Sequence, residues 1–148
     1  MRILLAIDDS KCSEAAREAV IEQARPQDTE VRVLYVLESS PLLVARVMGG
    51  YDPAFETAWE ARRQKGETVV TKAAEMLRAR GLNVAAVVEQ GEPKSKILDV
   101  AEEWQADLIV LGSHGRRGLG HFLIGGISDA VARHAHCSVE IVRINPAP

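Results

Sequence analysis

Short apolar runs alternate along this chain with longer stretches in which apolar residues recur every three or four positions. The runs read as buried strands and the stretches as amphipathic helices. Residues 2–8, from Arg2 to Asp8, form the first predicted strand. Ser10 or Ser13 then caps a helix with Cys12, Ala16, Ala19 and Val20 on one face, running to about Ala24 before Pro26-Gln27-Asp28 breaks it. Residues 31–37 give a second, β-branched strand. Residues 39–53, with Pro41, the Gly49-Gly50 pair and Pro53, read as an irregular connection. A long helix is predicted over 54–80, with Ala73, Met76 and Leu77 facing inward and Gly81 as its stop. Gly66 within it costs about 1 kcal/mol against alanine, so a bend or break is expected there. Residues 82–89 form the third strand. Pro93 suits the first position of the next helix, whose buried stripe is Ile97, Val100, Ala101 and Trp104. A fourth strand over 106–111, a short helix over 128–136, a fifth strand over 138–143 and a frayed tail at 145–148 complete the pattern.

Strands that alternate with helices imply an α/β fold: an open five-stranded parallel sheet sandwiched by helices, with right-handed crossovers. In such sheets a ligand sits beyond the carboxyl ends of the strands, where the strand order switches. Asp8, Val36 and Gly112 all lie at such ends. No linker or repeat divides the 148 residues, so one domain is expected.

Composition narrows the classes. Hydrophobic residues make up 47% and aromatics only 4%, so the core must be built from Val, Ile, Leu and Ala. The net charge of −3 provides no overall basic field for nucleic acid or a membrane surface. Cys12 and Cys137 form no Cys-x-x-Cys pair and read as reduced thiols, with a redox switch as the competing view. The first apolar run is too brief for a signal peptide, and no stretch approaches the roughly 20 apolar residues of a membrane span. A soluble, cytoplasmic protein is expected.

The chemistry concentrates between Asp107 and Ser128. The apolar run Leu108 to Leu111 enters a glycine-rich loop that ends where a helical pattern begins. Glycines let backbone approach a ligand closely, and a helix start offers unpaired N–H groups and positive dipole charge to a phosphate. Two common phosphate motifs are missing. No Gly-x-x-x-x-Gly-Lys-Ser/Thr occurs, and no Gly-x-Gly-x-x-Gly follows the first strand. Instead the chain has Gly112-x-x-Gly115, nine residues, then Gly125-Gly126-Ile127-Ser128.

That spacing resembles the nucleotide-binding pattern of the universal stress protein family. The likeness extends to Asp8 and Ser10 after strand one, Leu34-Tyr35-Val36, Gly91-Glu92-Pro93, the run Ala106 to Ser113, and the closing Cys137 to Val142. It implies a Rossmann-like, adenine nucleotide alpha hydrolase-like sheet, a homodimer joined through strand 138–143, and, in the ATP-binding branch, adenine near the first two strands. Asp8 then matches the acid at the adenosine end and Val36 the residue whose backbone faces adenine. Gly112 and Gly115 match the loop under ribose and phosphates. Gly125, Gly126, Ile127 and Ser128 match the helix start around the β- and γ-phosphates. With Ile7, Leu111 and Arg116 these make the candidate nucleotide-binding set, for ATP accompanied by magnesium. One residue departs from the pattern: Gly126 stands where the family has Ser or Thr. This removes a hydroxyl worth about 1.5–3 kcal/mol to a charged group but keeps an N–H. Arg116, Arg117 and His121 offer compensating charge.

Competing readings attach to the same residues. Asp8 also reads as a helix-capping acid, and Asp9 as a solvated cap. The Asp8-Asp9 pair resembles that of a phosphoacceptor receiver domain, but strand three ends Val88-Glu89-Gln90 and strand five has no lysine. His114, His121, His134 and His136 lack ligand spacing for a metal. Gly112-Ser113-His114-Gly115 is not a nucleophile elbow. Trp59 and Trp104 read as helix packing. No placed general base or arginine finger is visible, so catalysis beyond very slow ATP hydrolysis is not expected. The function expected is a nucleotide-binding regulatory dimer in the stress response. Two alternatives stay open: a family member that binds no nucleotide and acts through protein contacts, and an enzyme of the related adenylate-forming families.

Overall fold

The computed structural model describes residues 1–38, 49, 53–114 and 125–144. Its strands are β1 (Arg2–Ala6), β2 (Glu30–Glu38), β3 (Asn83–Gly91), β4 (Leu108–Gly112) and β5 (Ser138–Val142). Its helices are α1 (Lys11–Gln23), α2 (Pro53–Arg78), α3 (Pro93–Trp104) and α4 (Gly126–His134). All four strand pairings are parallel, in the order β3-β2-β1-β4-β5. The order reverses between β1 and β4, which opens a crevice at their carboxyl ends.

Alternation along the strands divides the core into two layers. Ile3, Leu5, Val31, Val33, Tyr35 and Leu37 pack with Ala16 and Val20 of α1 and Val70, Ala73 and Leu77 of α2. Leu4, Ala6, Leu34, Ile109 and Leu111 pack on the other face with Ile97, Val100 and Ala101 of α3 and Val131 of α4. The central strands are buried on both faces, as continuous apolar runs in a parallel sheet require.

Element types agree with the sequence pattern; several ends do not, and hydrogen bonds explain each shift. β1 stops at Ala6 rather than residue 8. Ile7 N–H still reaches Leu34 O at 2.9 Å, but Asp8 N–H leaves the ladder for Ser13 Oγ at 2.8 Å. Ser10 is the N-cap of α1, its Oγ accepting from Ser13 N–H at 3.2 Å. Asp9 pairs with Lys65 at 2.8 Å. β4 begins at Leu108 because Ala106 N–H closes the last turn of α3 on Ala101 O. β3 begins at Asn83 because Leu82 N–H does the same for α2 on Leu77 O. Gly81 at that end has φ +84°, the left-handed conformation expected of a stop. α4 starts at Gly126, two residues before the predicted start. The tail 145–148 and, apart from Gly49 and Pro53, the connection over 39–53 lie outside the described residues.

Two expectations for α2 are corrected. The helix runs unbroken through Gly66, and Met76 points outward, 37% exposed. Gly66 is buried against β2, where a Cβ would lie 2.8 Å from Tyr35 Cδ1. The glycine admits a close helix–sheet contact; it does not mark a break. Helix propensity alone would make Gly66→Ala stabilising by about 1 kcal/mol. Overpacking against a buried ring costs about 1–3 kcal/mol and wins. The expected result is a net loss of about 1 kcal/mol, read as a lower urea midpoint at unchanged slope. A raised midpoint would show that the Tyr35 ring yields freely.

Candidate functional site

The crevice at the β1–β4 switch is a cleft of about 440 Å³ lined in part by Ile7, Asp8, Val36, Leu111, Gly112, Gly125, Gly126, Ile127 and Ser128. Those are all the predicted site residues within the described part of the chain. Gly115 and Arg116, like Arg117 and His121, lie outside it. The volume is within the range of about 300–1,000 Å³ usual for small-ligand sites. A larger cleft, about 600 Å³, opens at the opposite ends of the strands around Arg2, Asp28 and Asp107. There the polar groups satisfy one another: Arg2 N–H donates to Asp107 Oδ2 at 2.7 Å and Arg2 Nη1 to Trp104 O at 3.0 Å. Ligands of parallel sheets belong at the carboxyl ends, so the smaller cleft is the candidate.

The end of β4 organises this cleft. Ser113 N–H donates to Val142 O of β5, and Gly125 N–H returns to Ser113 O at 2.7 Å. A Cβ on Gly112 would lie 2.6 Å from Cys12 Cβ and 2.7 Å from the Cys12 carbonyl carbon. Position 112 is therefore glycine for the sake of α1 backbone. The sequence assigned that residue to the ligand alone.

Gly125 caps α4 without a side chain, and the first helical bond, Asp129 N–H to Gly125 O, is 2.9 Å. The N–H groups of Gly126, Ile127 and Ser128 thus head the helix without intrahelical acceptors. A Cβ at Gly126 would meet nothing within 4 Å. Ser128 is different in kind. It is 3% exposed, and its Oγ donates to Gly112 O at 2.7 Å, tying the helix start to the strand end. Asp129, in the first turn of α4, is bonded to Arg133 at 3.0 Å. Arg133 places positive charge in the last turn, where the dipole favours it.

Asp8 is not the cap of α1, which is Ser10. Asp8 lines the cleft, and its Oδ1 accepts from Ser10 N–H at 2.8 Å and Ser13 Oγ at 2.9 Å. The acid therefore shapes the turn that carries the α1 cap. Pro93 and Ile97 of α3 line the far wall. Glu92 caps that helix, accepting from Ser95 N–H at 2.9 Å.

The lining residues outside the predicted set include His114, Glu38 and Arg62. His114 Nδ1 is 3.2 Å from Ser113 Oγ, while Nε2 is buried without a hydrogen-bond partner among the described residues. Its place between Gly112 and Gly115 was a usable signal. Arg62 arrives from α2, fifty residues from the glycine loop, and its one local mark is Trp59 three positions earlier. Trp59 itself packs against the core, as expected. Cys12 and Cys137 are free; burial, then the nearby Asp107 carboxylate, pushes the Cys137 thiol up. Among the described residues no group of three His, Cys, Asp or Glu could hold a metal ion, and no helix is long and apolar enough to cross a membrane.

Replacing Ser128 by Ala should remove the clamp on Gly112 O and cost about 1 kcal/mol of stability. For a chain of this size that is a fall in melting temperature of about 2–4 °C. An unchanged melting temperature would show that the bond contributes nothing.

Comparison with known proteins gives this architecture its family. The model of the universal stress protein family matches residues 1–143. A universal stress protein of Methanocaldococcus jannaschii is 30% identical over 142 residues, 96% of this chain and 81% of that protein. One from Bacillus subtilis is 30% identical over 145 residues, 96% of this chain and 98% of that protein. Among solved structures, a universal stress protein from Lactobacillus plantarum superposes with a TM-score of 0.81 at 24% identity, over 97% of both chains. More distant neighbours were solved with adenine nucleotides. A family protein from Arabidopsis thaliana carries AMP (TM-score 0.70, 20% identity, 98% of this chain and 92% of that one). One from Archaeoglobus fulgidus is in complex with dAMP (TM-score 0.69, 21% identity, 96% and 97%). The chain belongs to the universal stress protein family.

Proposed function

We propose that this protein is a nucleotide-binding regulatory member of the family, with ATP and its magnesium as the ligand. The observation that carries the reading is the start of α4: three backbone N–H groups, at Gly126, Ile127 and Ser128, open into a cleft at the strand-order switch. Such a helix start attracts phosphate through both its donors and its dipole. The cleft fits the group in shape as well. Gly126 leaves open space where the phosphates would approach, and Val36 and Ile7 offer an apolar floor at the β2 end for a base. The AMP and dAMP complexes of family neighbours support the same ligand class. Magnesium would be held by phosphate oxygens and water, as it usually is.

The rival, a family member without nucleotide, rested on Gly126. The loss there is one hydroxyl, while the N–H and the space remain. That favours weakened binding over none.

Catalysis is not part of the proposed function. Asp8 holds two donors of the α1 turn on one oxygen, which suits a positioning acid better than a base. Turnover of bound ATP should stay below about one per minute, against the roughly 1–1,000 per second typical of enzymes.

Calorimetry tests the reading. ATP should bind with a dissociation constant in the micromolar range or weaker, about −8 kcal/mol or less in magnitude. Gly126→Ser should match or tighten it, since its side chain enters open space. Asp8→Asn should weaken it while keeping an acceptor for Ser10 and Ser13. No heat from ATP, ADP or AMP at millimolar concentration would sink the nucleotide reading in favour of the rival.

The dimer is a proposal of the same kind. β5 is an edge strand whose Val139, Ile141 and Val142 are only partly buried. An open β-branched edge invites pairing, and two-fold antiparallel pairing with the same strand of a second copy closes the assembly. Light scattering at tens of micromolar should give the mass of two chains. A monomer mass would end this part of the proposal, and Val142→Pro should shift the population toward monomer or unfold the chain.

A further inference from the structure

Two cations one turn apart on α2 have different surroundings. Lys65 is tied to Asp9 at 2.8 Å. Arg62, one turn earlier, has no carboxylate partner among the described residues. Its Nη2 makes a long contact to Glu38 O at 3.4 Å, and its Cζ lies 5.4 Å from the centroid of the Trp59 ring. Arg62 lines the cleft with Val36 and Glu38, at the end of β2. α4 begins instead beside the end of β4, and β1 stands between the two strands. Neighbouring strands are about 4.8 Å apart, so the β2 end beside Arg62 and the β4 end beside the α4 start are about 10 Å apart. The Arg62 charge is therefore placed for the base and ribose end of a nucleotide.

Resting on the nucleotide reading above, we propose that Arg62 is a specificity residue that stacks on the purine. Its guanidinium is planar, and planar guanidinium stacks on aromatic faces. Trp59 occupies one side of it. Trp59 is itself fixed, since it packs against the buried layer beneath α2. A purine entering over Val36 meets the other side, giving a three-layer stack of indole, guanidinium and base. The arrangement selects a flat, electron-rich ring. It is indifferent to the number of phosphates.

That indifference separates this role from a phosphate contact. Adenosine, AMP and ATP are titrated calorimetrically into the full chain, its Arg62→Ala and Arg62→Gln variants, and Trp59→Leu. Arg62→Ala should weaken all three ligands by the same factor, about fivefold, the range of a partly desolvated cation–π contact. Arg62→Gln should behave alike, having lost the charge and the guanidinium that stacks. Trp59→Leu should reproduce the loss by releasing Arg62, and the double variant with Arg62→Ala should lose no more than either single one. Arg62 is exposed, so its variants should melt with the wild type, which keeps them decisive even if Trp59→Leu is destabilised. A loss that grows from adenosine to ATP and fades with added salt would overturn the proposal and make Arg62 a phosphate contact. No loss in Arg62→Ala would overturn it outright while leaving the nucleotide reading intact. If the wild type binds none of the three, both readings fall together.

Discussion

Position 112 has no room for a side chain, and much of the site follows from that. β4 must pass within van der Waals contact of the first turn of α1, where Cys12 backbone would lie under 3 Å from any Cβ. With the two in register, the end of β4 is fixed beside the turn that follows β1. The surrounding hydrogen bonds then have defined partners. Ser113 reaches across to β5, Gly125 returns to Ser113, and Ser128 clamps Gly112 from inside α4. One strand end thus sets the position of two helix starts. The start of α1 is capped by Ser10, whereas the start of α4 has a glycine cap and faces the cleft.

That asymmetry sets the electrostatics. The α1 turn uses part of its own donors internally, because Asp8 accepts from Ser10 N–H and Ser13 Oγ, and Ser10 Oγ accepts from Ser13 N–H. The α4 turn leaves its donors available. Its only first-turn acid, Asp129, is bonded to Arg133 on an exposed face, where such a pair is worth at most about 1 kcal/mol. The pair nevertheless holds that carboxylate against a cation one turn away. An anion approaching the cleft meets partial positive charge at Gly126 to Ser128, while Asp8, Glu38 and Arg62 lie toward the β1 and β2 ends. The cleft is therefore polarised along its length, as a ligand with one charged and one flat apolar end requires.

The fold was legible because every buried strand is a run of apolar residues and every helix has a clear inner stripe. The ends were less so, because a strand or helix stops where a particular N–H finds a better acceptor. Ala106 is apolar and abuts β4, yet its N–H completes α3 through Gln105 in the left-handed conformation, a device that a glycine would have announced. Gly66 misled in the opposite direction. Read locally it weakens a helix; read in three dimensions it lets α2 lie against Tyr35. Most of the described cleft was readable from strand ends and from the glycine spacing. Arg62 was not, since nothing near it in sequence records that α2 overhangs the end of β2.

Gly126 shows how a departure from a family pattern should be weighed. A hydroxyl at that position would donate one bond to phosphate; its loss is a difference of about 1.5–3 kcal/mol at most for a charged acceptor. Three helix-start amides are unaffected by the change, because they belong to the backbone. The dipole behind them is unaffected too. What glycine adds is access: with nothing within 4 Å of the missing Cβ, the chain presents bare backbone to the cleft. Glycine at a helix start also lacks the rotamer that would preselect one phosphate geometry. A helix start without that hydroxyl should therefore discriminate less between mono-, di- and triphosphates than one that carries it, and the base end, where Val36 and Arg62 sit, then carries more of the selectivity.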